Sequence, residues 1–239
     1  MLARRALVKP CAGRSCAMRL PIGAAHNVMP HSAARRSRIA LPEKWLPFFL
    51  FALAGSITPG PNNMISTASG AAFGFARTVP QMLGVSIGYP LMIVALGLGF
   101  GEIFRQFPWL HEVLRYAGAA FLLYLAWRIA QAFGPERTEA SRPLTLFEAA
   151  LFQWINPKAW TLAVGTVATF TTPGLLFGAF LTEISIIAVL SGAIAFASLV
   201  VWCIFGAMIA GALADERKRR IFQLSLAGLL AASVVFLFI

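Results

Sequence analysis

From residue 44 onward the chain is a succession of apolar runs, each long enough to cross the hydrocarbon core of a bilayer, which takes roughly 20 helical residues. The runs cover about 44–70, 78–103, 112–133, 145–171, 176–212 and 221–239. In lipid every backbone N–H and C=O must find a partner within the protein, so such runs read as helices. Composition agrees: 59% of the residues are hydrophobic, 12% are charged, and the mean hydropathy is +0.75. A soluble domain of this length could not hide so much apolar surface, and disordered chains are polar and poor in aromatics. The expected fold class is therefore an all-α integral membrane protein with about six transmembrane helices. The long fifth run leaves room for a kink, so five or seven spans are the neighbouring counts.

The net charge of +11 belongs mostly to residues 1–42, which carry Arg4, Arg5, Lys9, Arg14, Arg19, Arg35, Arg36 and Arg38 and no acid. This basic leader contains Pro10, Pro21 and Pro30 and has no apolar core long enough for a secretory signal. It reads as a disordered tail, as a transit-like targeting segment, or as the product of a start assigned upstream of Met18 or Met29. The remainder, 43–239, is nearly balanced in charge and offers no basic face for nucleic acid. Cys11 and Cys16 lie in the leader and Cys203 stands alone in an apolar run, so no disulfide framework, metal site or redox pair is expected. Lys/Arg placement in the core loops (Arg77; Arg137 and Arg142; Arg217 to Arg220) favours both ends outside, whereas the leader argues for the opposite orientation.

Two runs are interrupted at corresponding points. Ser56-Ile57-Thr58-Pro59 breaks the first and Trp154-Ile155-Asn156-Pro157 breaks the fourth. Each broken run is followed by two further runs, so the chain reads as a 3+3 inverted repeat with two broken helices. Repeat one covers about 43–133 and repeat two about 144–239. Interrupted helices at matching positions of two halves are the strongest sequence pointer to a transporter's binding site. Thr58 and Asn156 are suitable N-cap residues; Pro59 and Pro157 would then stand at N1 and Pro61 at N3, positions that need no intrahelical N–H. Gly60 permits close backbone approach. Asn62, Asn63, Ser56 and Gln153 supply polar groups nearby, and the carbonyls freed before each break must be satisfied inside the protein.

Lys158 breaks a local rule, because a cation at N2 of a half-helix opposes the macrodipole. A lysine beside a positive helix end suits an anion such as a substrate carboxylate. The alternatives are that Lys158 snorkels to an interface or pairs with Glu148 or Glu102. Glu102 and Glu183, near run ends, are either coupling-proton carriers or solvated interfacial carboxylates. Gln81, Ser86 and Tyr89 either line a cavity or bond to neighbouring helices. The glycine pairs Gly70/Gly74, Gly84/Gly88 and Gly97/Gly101 are candidates for close helix crossings.

Three stretches together resemble the lysine exporter (LysE/RhtB) family of amino-acid effluxers. They are Ser56-Ile57-Thr58-Pro59-Gly60-Pro61-Asn62-Asn63, the segment Arg115 to Trp127, and Phe152-Gln153-Trp154-Ile155-Asn156-Pro157-Lys158-Ala159. The resemblance covers about 43–239, and the leader departs from the family pattern. It implies a multi-pass protein of the bacterial inner membrane that exports amino acids or close derivatives. The family pattern falls on Pro59, Gly60, Pro61 and Asn62 in the first half, and on Gln153, Asn156, Pro157 and Lys158 in the second. With the cap residue Thr58, these nine form the expected substrate-binding set.

No catalytic residue, metal or cofactor is expected. Residues 43–239 contain one histidine (His111), one aspartate (Asp215) and one cysteine (Cys203), too few for a nucleophile–base pair or a metal constellation in the membrane. A channel is the other alternative, but two inverted broken helices fit alternating access better than a selectivity ring. The expected partners are an amino-acid substrate and membrane lipids. Protons or the membrane potential drive export, and a homo-oligomer is left open.

Overall fold

The computed structural model describes residues 41–131, 142–212, 215–235 and 238. The leader lies outside the described residues except for its last two, and so does the polar stretch 134–143 up to residue 141. Among the described residues the protein is all-helical. In chain order the helices are α1 (Leu41–Ile57), α2 (Pro61–Phe73), α3 (Phe75–Gly97), the short α4 (Gly101–Gln106), α5 (Pro108–Gln131), α6 (Leu146–Phe152), α7 (Pro157–Phe170), α8 (Phe177–Ala212) and α9 (Glu216–Ala232); a 3-10 turn (Gln153–Ile155) extends α6. Three helical stretches are long and apolar enough to cross a membrane alone: Phe75–Gly97, Glu112–Gln131 and Phe177–Ala212. The two broken runs consist of shorter pieces. At 1.5 Å per residue, α1 is ~25 Å long and α7 ~21 Å, each short of the ~30 Å hydrocarbon thickness.

Local chemistry sets several boundaries. Thr145 and Glu148 form a reciprocal capping box at the start of α6. Asp215 is the N-cap of α9, accepting the Arg217 N–H at 2.9 Å, and Glu216–Arg220, placed in a loop by the charge-based orientation argument, are already helical. Gly74, at φ +80°, makes the turn between α2 and α3 in a conformation that favours glycine. The fifth run is one continuous helix of 36 residues without proline.

Helix α8 is the hub, packing on α2, α3 and α1, while α6 packs on α3 and α9 on α5. Lipid offers no hydrophobic drive for these contacts, so close packing must supply it. Gly84 and Gly88 of α3 lie directly against the α6 backbone; a Cβ on Gly88 would stand 2.6 Å from the Ala150 carbonyl oxygen. Gly70 meets the backbone at Cys203 in the same way, and Gly97 packs on the Ile184 side chain. Gly74 and Gly101 mark no crossing. Gly192 of α8 sits on the Pro90 ring and on the Ser86 carbonyl, the group a helical proline four residues on deprives of its N–H partner. The apolar interior forms two clusters. One is built around Met82, Leu122, Phe152, Leu199 and Leu230, the other around Phe48, Met92, Ala163, Ile184 and Ile187. The Gln81 side chain is fully buried and held by Ser66 and Ser69 on α2, so it joins helices and does not line a cavity.

Candidate functional site

The first break follows the two prolines. Pro61 drives the residue before it out of the α region, so Gly60 is extended (φ −170°, ψ 177°) and serves as the N-cap of α2, with Pro61 at N1. This corrects the expectation that Thr58 caps the new half-helix with Pro59 at N1 and Pro61 at N3. Thr58 instead closes the last turn of α1, its N–H donating to the Ala54 carbonyl at 3.2 Å. The second break keeps the expected form. Asn156 is extended, its side chain accepts the Lys158 N–H at 3.2 Å, Pro157 stands at N1 and Lys158 at N2.

The carbonyls of Ser56, Ile57, Thr58 and Pro59, after the last full turn of α1, each accept from a side chain. Asn63 Nδ2 donates to the carbonyls of Ser56 (2.8 Å) and Thr58 (2.9 Å). Ser198 Oγ, from α8, also donates to Ser56 O at 2.9 Å, and Trp202 Nε1 to Ile57 O at 3.2 Å. Lys158 Nζ crosses from the second break and donates to the carbonyls of Thr58 and Pro59. This resolves the apparent conflict at Lys158. The positive end of its own helix disfavours it, but its ammonium rests at the negative C-terminal end of α1. Glu148 is no partner for it, being held by a bidentate pair with Arg142 at 2.8 Å. Gly60 makes the crossing possible: a Cβ there would stand 2.6 Å from Lys158 Cδ and 2.9 Å from Nζ.

The two breaks therefore meet, with a cavity between them. Of the nine expected residues, Gly60, Asn62, Gln153, Asn156 and Lys158 line it. Thr58, Pro59, Pro61 and Pro157 do not; they shape the breaks from behind, and Thr58 and Pro59 are exposed. Asn62 and Gln153 face one another as a reciprocal amide pair, with Asn62 Nδ2 donating to Gln153 Oε1 at 2.9 Å and Gln153 Nε2 to Asn62 Oδ1 at 3.3 Å. Gln153 Nε2 also donates to the Ala149 carbonyl at 2.8 Å. Both Gln153 hydrogens are thus engaged, while its oxygen retains a free lone pair. The start of α2 has no side-chain cap. Its first-turn residues Asn62 and Asn63 lie on the cavity wall, so the positive helix end faces the space.

The remaining wall is apolar and comes from both interior clusters, with Val85 and Leu199 on one side and Ala159, Leu162 and Ala195 on the other. Tyr89 also lines it. Among the described residues, no acidic side chain is on the wall. Among the described residues, no three His, Cys, Asp or Glu side chains converge as a metal site. Glu183 stands apart from the cavity. It is bound to Lys44 and accepts from Thr172 N and Oγ1, both at 2.8 Å, in a network that ties α1 to the α7–α8 connection. Ser198, Trp202, Gly55 and Leu162 were not foreseen from sequence. The first two had a signal, a serine and an indole one turn apart in a largely apolar run; the last two carry none.

A family model described as LysE type translocator matches residues 53–239. Among curated proteins, the chain is similar to the cysteine/O-acetylserine efflux proteins of Escherichia coli (strain K12), Shigella flexneri serotype 5b (strain 8401) and Shigella sonnei (strain Ss046), each 29% identical over 127 residues. The matched stretch covers 53% of this chain and 65% of each relative, just under two thirds of their length. No solved structure matches the chain.

Proposed function

The chain belongs to the LysE type translocator family, and from that premise we propose that it is a secondary transporter exporting amino acids or close derivatives across the bacterial inner membrane. The substrate sits in the cavity between the two breaks. Its carboxylate lies against the uncapped start of α2 and takes one hydrogen bond from Lys158, while its ammonium is received by the oxygens of the Asn62–Gln153 pair. Thr58, Pro59, Gly60, Pro61, Asn156 and Pro157 hold the broken backbone in shape. A wall without carboxylates fits a neutral substrate better than a dibasic one, and cysteine and O-acetylserine are the first solutes to test, because the similar efflux proteins bear those names.

In this reading α1–α2 and α6–α7 each cross the membrane as a broken pair. With α3, α5, α8 and α9 they make six spans in two inverted units, residues 43–133 and 144–239. The spacing between Pro59 and Pro157 also separates Lys44 from Arg142, a cation at the approach to each broken helix. Rocking of one unit against the other around a fixed site gives alternating access, driven by protons or by the membrane potential. The observation that carries the proposal is Lys158, a cation from one break that reaches the carbonyls of the other along the wall of the cavity between them.

The test is efflux from cells or vesicles loaded with a panel including cysteine, O-acetylserine, leucine and lysine. The wild-type chain should export one or more neutral members of the panel. Lys158→Ala should abolish export while membrane abundance is unchanged, because Thr58 O retains its bond from Asn63. Export by Lys158→Ala at the wild-type rate would remove Lys158 from the site.

A further inference from the structure

We propose that Leu162 and Gly55 together set the size of side chain the cavity accepts. The inference rests on the amino-acid transport reading above and adds to it the wall against which the substrate side chain is measured.

The register between α1 and α7 places this wall. Gly60 faces Lys158, Gly55 faces Leu162, and Phe51 faces Gly165, where a Cβ would stand 3.2 Å from Phe51 Cζ; the Phe48 and Phe170 rings lie 5.5 Å apart. Residue numbers fall along one helix as they rise along the other, so α1 and α7 run antiparallel, side by side. Lys158 and Leu162 are four residues apart and share one face of α7. A carboxylate held at Lys158 therefore has Leu162 as its neighbour one turn, ~5.4 Å, further along the same face. Both Leu162 and Gly55 border the cavity.

The position of Leu162 depends on the missing side chain at Gly55. A Cβ there would stand 2.5 Å from Leu162 Cδ2 and 3.1 Å from Cδ1. These atoms are the far end of a flexible side chain, so an added methyl displaces Leu162 and leaves the backbone in place. Leu162 is half-buried and borders the cavity, and displacement of its side chain towards that space narrows it. Shortening Leu162 has the opposite effect and deepens the cavity. Combining the two changes removes the clash, because the atoms that the new methyl meets are gone.

The experiment compares initial export rates of leucine and methionine with those of serine and cysteine, using full-length protein in vesicles. A ratio of rates on one preparation is independent of the amount of protein. Leu162→Ala should raise the large-to-small ratio about tenfold, the scale on which an apolar pocket discriminates one or two methylenes. Gly55→Ala should lower it by a similar factor, and the double variant should return towards the wild-type ratio. If Leu162→Ala fails to accumulate, Gly55→Ala and the double variant still decide. Unchanged ratios in variants that export serine or cysteine normally would overturn the inference while leaving the transport reading intact. A wild-type chain that exports none of the four would sink the transport reading, and this inference with it.

Discussion

The carbonyl of Ser56 is the sharpest place to test how the first break is held, because two side chains from different helices share it. Asn63→Ala removes hydrogen bonds of 2.8 and 2.9 Å to Ser56 O and Thr58 O, a loss of about 1–3 kcal/mol for the two. Ser198→Ala removes one bond between helices, 2.9 Å to the same Ser56 oxygen, worth about 0.6 and at most ~1.7 kcal/mol in a membrane. In either single variant Ser56 O keeps one donor. In the double variant it has neither, and leaving this half-buried acceptor without a protein partner costs up to a further ~1–3 kcal/mol. The pair should therefore destabilise by more than the sum of the singles, by ~1 kcal/mol or more. The measurement is the unfolding free energy of the purified protein in mixed micelles, followed by tryptophan fluorescence as SDS is raised. Single-variant effects that add to within ~0.5 kcal/mol would refute the shared-acceptor reasoning.

Two further outcomes follow from the packing and the second cap. Gly88→Leu inserts a side chain where the backbone of Ala150 lies 2.7 Å from the Cβ position; the variant should fail to accumulate in membranes, and a normal yield on an immunoblot would contradict the α3–α6 crossing. Asn156→Ala removes the side chain that caps α7 and should destabilise the protein by about 1–2 kcal/mol, most of it recovered in Asn156→Ser. The same SDS titration reads both, and equal stability of the Ala and Ser variants would count against the cap.

Much of this was legible in the chain. The apolar runs mark the helices, and the prolines mark both breaks, because proline's missing N–H and fixed φ leave few positions open to it. The Asn156 cap could be read directly, since Asn-Pro-Lys opens a helix in only one register. The first break was misplaced by two residues because Thr58 invited an N-cap while Pro61, acting on Gly60, decided the start. Lys158 drew attention by breaking the macrodipole rule, but what compensates it depends on the antiparallel docking of α1 and α7, which no local pattern encodes. The same holds for Ser198 and Trp202, whose acceptors lie 142 and 145 residues away in sequence. The seating of Leu162 on Gly55 depends on the absence of an atom, and it becomes visible only once the two helices are placed together.

The central claim is that the two breaks enclose the substrate. In a chain whose own cysteines (Cys11, Cys16 and Cys203) are replaced by serine or alanine, Ala195→Cys places a thiol on the cavity wall and Ile221→Cys places one on the exposed face of α9. The rate of alkylation of each by a small thiol reagent, with and without a transported amino acid, tests the claim most directly. The account predicts that the amino acid slows alkylation at position 195 and leaves position 221 unchanged. Equal rates at position 195 with and without saturating substrate would contradict it.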